Sequence, residues 1–245
     1  MQEARSTLAN VALCLAVLAA VAAVAGPVAI HAGVTTPFLG FRIFGFGLLA
    51  SLPILLLSLA ALIRTRGPEQ REGRRSAVRA TLLSAGLVVL FAVLAVPGMR
   101  IPAIHDITTD PDDAPLFIEA ARAPENAAAA LAYPLENAPQ QRSAYPDVAP
   151  IVTKAAPADA YAAAQRAARA LGWQVVRSDP AAGTLEATST SRIFLFVDDV
   201  SLRVRAQDGG SRIDLRSRSR VGKSDLGANA ARIRAFAREL GRTLQ

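Results

Sequence analysis

The segment from Arg216 to Gly227, RSRSRVGKSDLG, holds the residue types best suited to chemistry in this chain. Arginines alternate with serines, so on a strand Arg216, Arg218 and Arg220 share one face. Gly222, Lys223 and Ser224 follow, where the start of a helix would leave backbone N–H groups without partners. Guanidinium forks grip phosphate or carboxylate with two prongs, and helix N-termini favour anions. The pattern suits an anion site built from Arg216, Arg218, Arg220, Lys223 and Ser224, with a lipid phosphate, an envelope polysaccharide or a nucleotide-like anion as ligand. The same residues also suit an internal lattice. Asp198, Asp199 and Asp214 are available to pair with the arginines, and Asp225 or Ser224 to cap the last helix. The lattice reading accounts for the acids as well as the bases. A phosphate-binding P-loop is excluded, because position 217 is serine where that motif needs glycine.

Other chemistry is thinner. Asp106, Asp110, Asp112 and Asp113 could hold a hard cation such as calcium, but their spacing fits no calcium loop, and Pro111 and Pro115 point to a solvated turn. His105 has no nucleophile motif beside it. Adjacent strand residues point to opposite faces, so Asp198 and Asp199 do not form an acid–base pair. Cys14 is the only cysteine, and the chain has two histidines, His31 and His105. A disulfide framework within the chain is excluded, and neither a thiolate nor a histidine-rich metal site is expected. No catalytic residue, metal or cofactor is assigned. Trp173, Phe194 and Phe196 read as core. Arg232, Arg234, Arg238 and Arg242 read as a solvated helix face that could touch anionic lipid.

The elements that must position these residues divide the chain. Hydrophobic residues make up 52% of it, and the long apolar runs are concentrated in residues 1–99. Residues 8–30, 43–63 and 80–99 are uncharged runs, each meeting the requirement of about 20 residues for a helix crossing about 30 Å of hydrocarbon. Pro53 is expected to kink the second. The first, with Arg5 ahead of it and Ala23-Val-Ala25 inside, has the look of a signal peptide, but its run on to Ile30 fits a retained anchor better. Residues 64–79 hold six arginines and two glutamates, whereas residues 31–42 hold one arginine. Excess arginine marks the cytoplasmic side. The expected topology has a cytoplasmic N-terminus and a C-terminal domain outside the cytoplasm, which is the periplasm of a bacterium with two membranes.

The formal charge of +7 divides into +5 for residues 1–99 and +2 for the rest. Interleaved signs at +2 do not make a nucleic-acid footprint. Residues 100–150, rich in proline, alanine and acid, read as an irregular linker or an arm wrapped on the domain. From 151 to 245 the periodicity gives a helix from Pro157 to Leu171 and strands at 173–177, 184–190, 193–205 and 211–219. A second helix ends near residue 242. Phe194 and Phe196 share parity with Asp198, so a bulge is expected at Asp198-Asp199. The fold class is α+β: three transmembrane helices, then a two-layer αββββα domain with an antiparallel sheet.

The stretch from Ile213 to Ile233, the Phe196-Val-Asp-Asp-Val200 run and residues 105–113 (HDITTDPDD) together resemble the domain of unknown function 1499 family, over about residues 101–243. Ala114 departs from the proline common there. That family has no assigned reaction or ligand, so the resemblance implies domain limits and membrane association and transfers no catalytic residue. The favoured function is non-enzymatic binding or scaffolding in the cell envelope. The alternatives are an envelope enzyme or anion- and headgroup-binding protein using residues 198–225, and an accessory subunit of a membrane complex. The expected partners are membrane lipids and other envelope or membrane proteins, not nucleic acid.

Overall fold

The computed structural model describes residues 2–67, 71–99 and 101–245. Two compact units emerge: Met1–Met99 with Arg192–Leu195, and Arg100–Ser191 with Phe196–Gln245.

The first unit is built on α1 (Gln2–His31), α2 (Pro37–Arg64) and α3 (Arg71–Gly98). Thr36 opens α2 by accepting the Leu39 N–H on its hydroxyl, and Pro37 takes a first-turn position that needs no donor. Both α1 and α2 remain helical past internal prolines, Pro27 and Pro53. Thr7–His31, Pro37–Arg64 and Gly73–Val96 are long and apolar enough to cross a membrane, which suggests a multi-pass membrane protein. In lipid, helices associate through close backbone approach rather than a hydrophobic drive. The residues at the contacts are accordingly small. Ala9, Ala12, Ala16 and Ala19 of α1 are buried. A Cβ added to Gly26 would lie 2.3 Å from the Gly40 carbonyl oxygen, and one added to Gly47 would lie 2.7 Å from that of Ala19. Ser51, Ser58 and Ser84 are buried and donate to carbonyls of their own helices, which satisfies their hydroxyls. Many larger side chains, among them Leu18, Val24, Leu56, Leu82 and Val93, are exposed, while Ile30, Leu48 and Ile54 are buried.

The second unit contains a six-stranded antiparallel sheet. Its strands are β1 (Asp106–Thr108), β2 (Ile151–Thr153), β3 (Gln174–Asp179), β4 (Thr184–Thr190), β5 (Val197–Gln207) and β6 (Gly210–Ser219). The order is β1-β6-β5-β4-β3, with β2 also paired to β6. The four strands legible in the sequence are present. The other two are three-residue strands, too short to show periodicity, and they lie along β6 at residues 216–218 and 211–213. Asp208 and Gly209, at φ 43° and 76°, supply the left-handed pair that turns β5 tightly into β6.

One sheet face is apolar. Leu185, Val200, Leu202, Ile213 and Leu215 pack with Ala164, Ala167 and Ala168 of α5 (Pro157–Ala170) and with Ile233, Phe236 and Leu240 of α6 (Ala228–Thr243). Trp173 stacks on Phe236 with ring centroids 5.4 Å apart.

Two expectations are corrected. β5 begins at Val197 rather than near 193, because the preceding residues turn, with Leu195 at φ 51°. Phe194 therefore misses the domain core and stands edge-on to Phe41 and Phe44 in the first unit, with centroids 5.1 and 5.2 Å away. The expected bulge at Asp198-Asp199 is also absent, since both residues keep regular register with β4 and β6. The sheet's irregularity lies between Val175 and Arg177 on β3.

Candidate functional site

Strand alternation places Asp199, Ser201, Arg203 and Arg205 of β5 on the face away from the helices. The same alternation places Arg212, Asp214, Arg216 and Arg218 of β6 beside them, and Glu186 of β4. This second face is charged, yet largely buried. Residues 106–145 cover it through short strand β1, three 3₁₀ turns and α4 (Ala138–Ala144).

Arg216 is at the centre and is fully buried. Its Nε and Nη2 donate to the two carboxylate oxygens of Asp106 at 2.9 and 2.7 Å. The remaining donors reach the carbonyl oxygens of Pro115 and Leu131 at 3.2 and 3.0 Å. Its flat guanidinium lies over the Phe117 and Tyr133 rings, 4.6 and 5.7 Å from their centroids. Burial there raises the Tyr133 phenol to about 12. That phenol donates to Gln141 Oε1, which also accepts the Thr108 N–H, while Gln141 Nε2 donates to the Thr108 carbonyl. The Gln141 side chain thus pairs with β1 as a neighbouring strand would.

The rest of the strip is similarly engaged. Arg218 donates to Asn126 Oδ1 at 3.0 Å and stands 3.9 Å from Asp106. Arg220 pairs with Asp199 at 2.8 Å and Glu125 at 3.2 Å, and Asn126 donates to Asp199 at 2.7 Å. Asp214, with no exposure, accepts from Arg203, Arg205 and Arg212. Arg205 and Arg212 face each other directly in the sheet, so like charges meet there, and the shared Asp214 offsets their repulsion. Asp113 receives Arg203 and Arg205, whose hydrogen bonds hold its carboxyl below the ordinary range.

A separate polar cluster occupies the helix face at the start of β5 and the end of β6. Asp198 accepts from Arg232 at 2.5 Å. Arg232 also reaches Ser217 and Asn229, and Asn229 reaches Ser219 and the His105 carbonyl. Burial pushes the Asp198 carboxyl up, against the pull of Arg232.

These pairings revise the lattice expected from sequence. Arg220 meets Asp199, but Arg216 meets Asp106, Asp198 meets Arg232, and Asp214 serves three other arginines. Arg232 is therefore not part of a solvated face. The anion reading is revised too. α6 begins at Ala228, so Gly222, Lys223 and Ser224 lie in a loop ahead of it. Its first free donors are already met: the Asp225 carboxylate accepts the Gly227 and Asn229 N–H groups, both at 2.8 Å. Lys223 is exposed, and the Ser224 hydroxyl accepts the Leu226 N–H. The four aspartates weighed as a calcium loop go to different arginines: Asp106 to Arg216, Asp110 to Arg212, Asp112 to Arg142, and Asp113 to Arg203 and Arg205. His105 enters the network through its backbone carbonyl.

Sequence reasoning passed over Glu186. It is buried with no cationic partner among the described residues and accepts the N–H groups of Ile118, Glu119 and Ala120 at 3.0–3.1 Å. Its only signal is phase, since a lone glutamate shares parity with Thr184 and Thr188. Asn126 and Gln141, in a segment without periodicity, had no signal.

Three candidate membrane spans, followed by an antiparallel two-layer domain with an arm sealed over its charged face, suggest the class: a multi-pass membrane protein with an appended α+β domain. More specifically, the chain belongs to the family described as Protein of unknown function (DUF1499), whose model matches residues 106–240. The matched span runs from the first residue of β1 into the last turns of α6. No curated protein matches the chain.

Proposed function

We propose that this is a bacterial inner-membrane protein whose C-terminal domain lies in the periplasm and serves as a non-enzymatic binding or scaffolding module of the envelope. The observation that carries this is the state of the arginine strip: Arg216, Arg218 and Arg220 are all spent on contacts within their own domain, to Asp106, Asn126 and Glu125 of the arm and to Asp199 of β5. Charges used this way favour a rigid platform over a reactive cleft. Membrane lipids and other envelope or membrane proteins are the partners of this reading. The topology rests on the six arginines of residues 64–79.

Reporter fusions test the topology. Alkaline phosphatase joined after Gln245 is expected to be active, and joined after Arg71 inactive; the reverse pattern overturns the orientation. Crosslinking in intact cells tests the scaffold role. Discrete crosslinked partners are expected, and turnover of an envelope substrate that Arg218→Ala abolishes would overturn it in favour of an enzyme.

A further inference from the structure

Arg74, Arg75 and Arg79 lie near the start of α3. Among the described residues, none of Arg74, Arg75 and Arg79 pairs with an acid, and all three are exposed. With Val78 they line a cavity of about 370 Å³. Cationic forks with no acid partner among the described residues, set around a cavity, call for an anion, and guanidinium matches phosphate geometry.

The continuation of the helix narrows what that anion belongs to. At 3.6 residues per turn, Arg75, Arg79, Leu82, Gly86, Val89 and Val93 fall along one stripe of α3. All six are exposed, whereas Ala77, Ala80 and Ser84 on the other side are buried. The stripe is charged at its head and apolar along its length. A Cβ at Gly86 would meet nothing within 4 Å, so the stripe has an open notch about two turns below Arg79. Arg42 of α2 differs in standing over its own helix neighbours, 6.0 and 5.8 Å from the Phe38 and Phe46 rings.

We propose that this stripe is a binding site for an anionic glycerophospholipid, its phosphate held by Arg75 and Arg79 with Arg74 beside them, and an acyl chain lying along Leu82, Val89 and Val93 past the Gly86 notch. The proposal rests on reading α1–α3 as membrane spans. A lipid is the occupant because the charge and the apolar track are continuous on one helix, an arrangement a free phosphate would not need. Net negative charge is favoured because the ammonium of a zwitterionic headgroup would sit against three like-charged guanidinium groups.

The test uses the full-length protein in detergent, delipidated and titrated by native mass spectrometry. Phosphatidylglycerol is expected to bind, with phosphatidylethanolamine at least fivefold weaker. Arg75→Gln with Arg79→Gln is expected to weaken phosphatidylglycerol roughly fivefold for each charge removed. The Arg75→Lys, Arg79→Lys pair keeps the charge and is expected to retain most of the binding, which separates loss of charge from misfolding. Equal binding of the two lipids, an unchanged glutamine pair, or free glycerol phosphate binding as tightly as the lipid would each overturn the site. Release of the protein from membranes by a carbonate wash would instead overturn the span reading beneath it.

Discussion

The Arg216 guanidinium and the Asp106 carboxylate, 110 positions apart in the chain, meet in a two-pronged pair with both side chains essentially out of solvent. The pair ties the first residue of β1 to β6, and through the Pro115 and Leu131 carbonyls it holds the loop between them. One buried cation thus organises a segment that has little regular structure of its own.

Breaking that pair on one side leaves a buried charge without its partner, which costs about 3–5 kcal/mol. Arg216→Ala is expected to destabilise the second unit by that amount in chemical unfolding and to speed proteolysis between residues 115 and 131. Lys223→Ala, in the exposed loop, is expected to leave both unchanged.

Glu186 anchors the same segment through backbone N–H groups. Glu186→Ala deprives the buried Ala120 N–H of its acceptor, at a cost of about 1–3 kcal/mol. Hydrogen exchange should accelerate at Ile118, Glu119 and Ala120 while the β5–β6 amides keep their protection. Glu186→Gln, which retains one acceptor oxygen, should give a smaller acceleration.

The glycines of α1 and α2 make a prediction for the first unit. Gly26→Ala would drive a methyl to 2.3 Å from the Gly40 carbonyl oxygen, so the helices must part. A Cβ at Gly45 meets nothing within 4 Å. Thermal unfolding in detergent should show a clear drop in Tm for Gly26→Ala and no drop for Gly45→Ala.

Tyr133 sets an alkaline limit. Its phenol sits at about 12 in the folded chain against an ordinary value near 10. Between these values the unfolded chain loses a proton that the folded chain keeps, so stability falls as pH rises from about 10 toward 12. Tyr133→Phe should remove that part of the pH dependence, read from denaturation midpoints across this range.

Acid acts on the exposed carboxyls in the opposite sense. Hydrogen bonds from Arg203 and Arg205 depress Asp113, and those from Arg234 depress Asp147. Their contribution is complete above the unfolded value near 3.9 and is lost as pH falls through their lower folded values. Arg234→Ala should return Asp147 to the ordinary range, as followed by carboxyl NMR shifts.

By itself the sequence determined what repeats along the chain. Unbroken apolar runs gave α1, α2 and α3, because length and hydropathy are local properties. Period-two alternation gave β3 to β6, and period 3.6 gave α5 and α6, because each of these elements buries one face. Alternation also placed Arg216, Arg218 and Arg220 on a common face. Only the tertiary structure decided their partners. Asp106 and Asn126 belong to a segment with no periodicity, and a carboxylate carries no mark in sequence of the arginine it will meet. Asp198 and Asp214 were available to the strip by composition, but Asp198 sits on the other sheet face and Asp214 is taken by Arg203, Arg205 and Arg212. A buried charge pairs with whatever the fold brings within about 3 Å, and that distance is set by packing rather than by position in the chain.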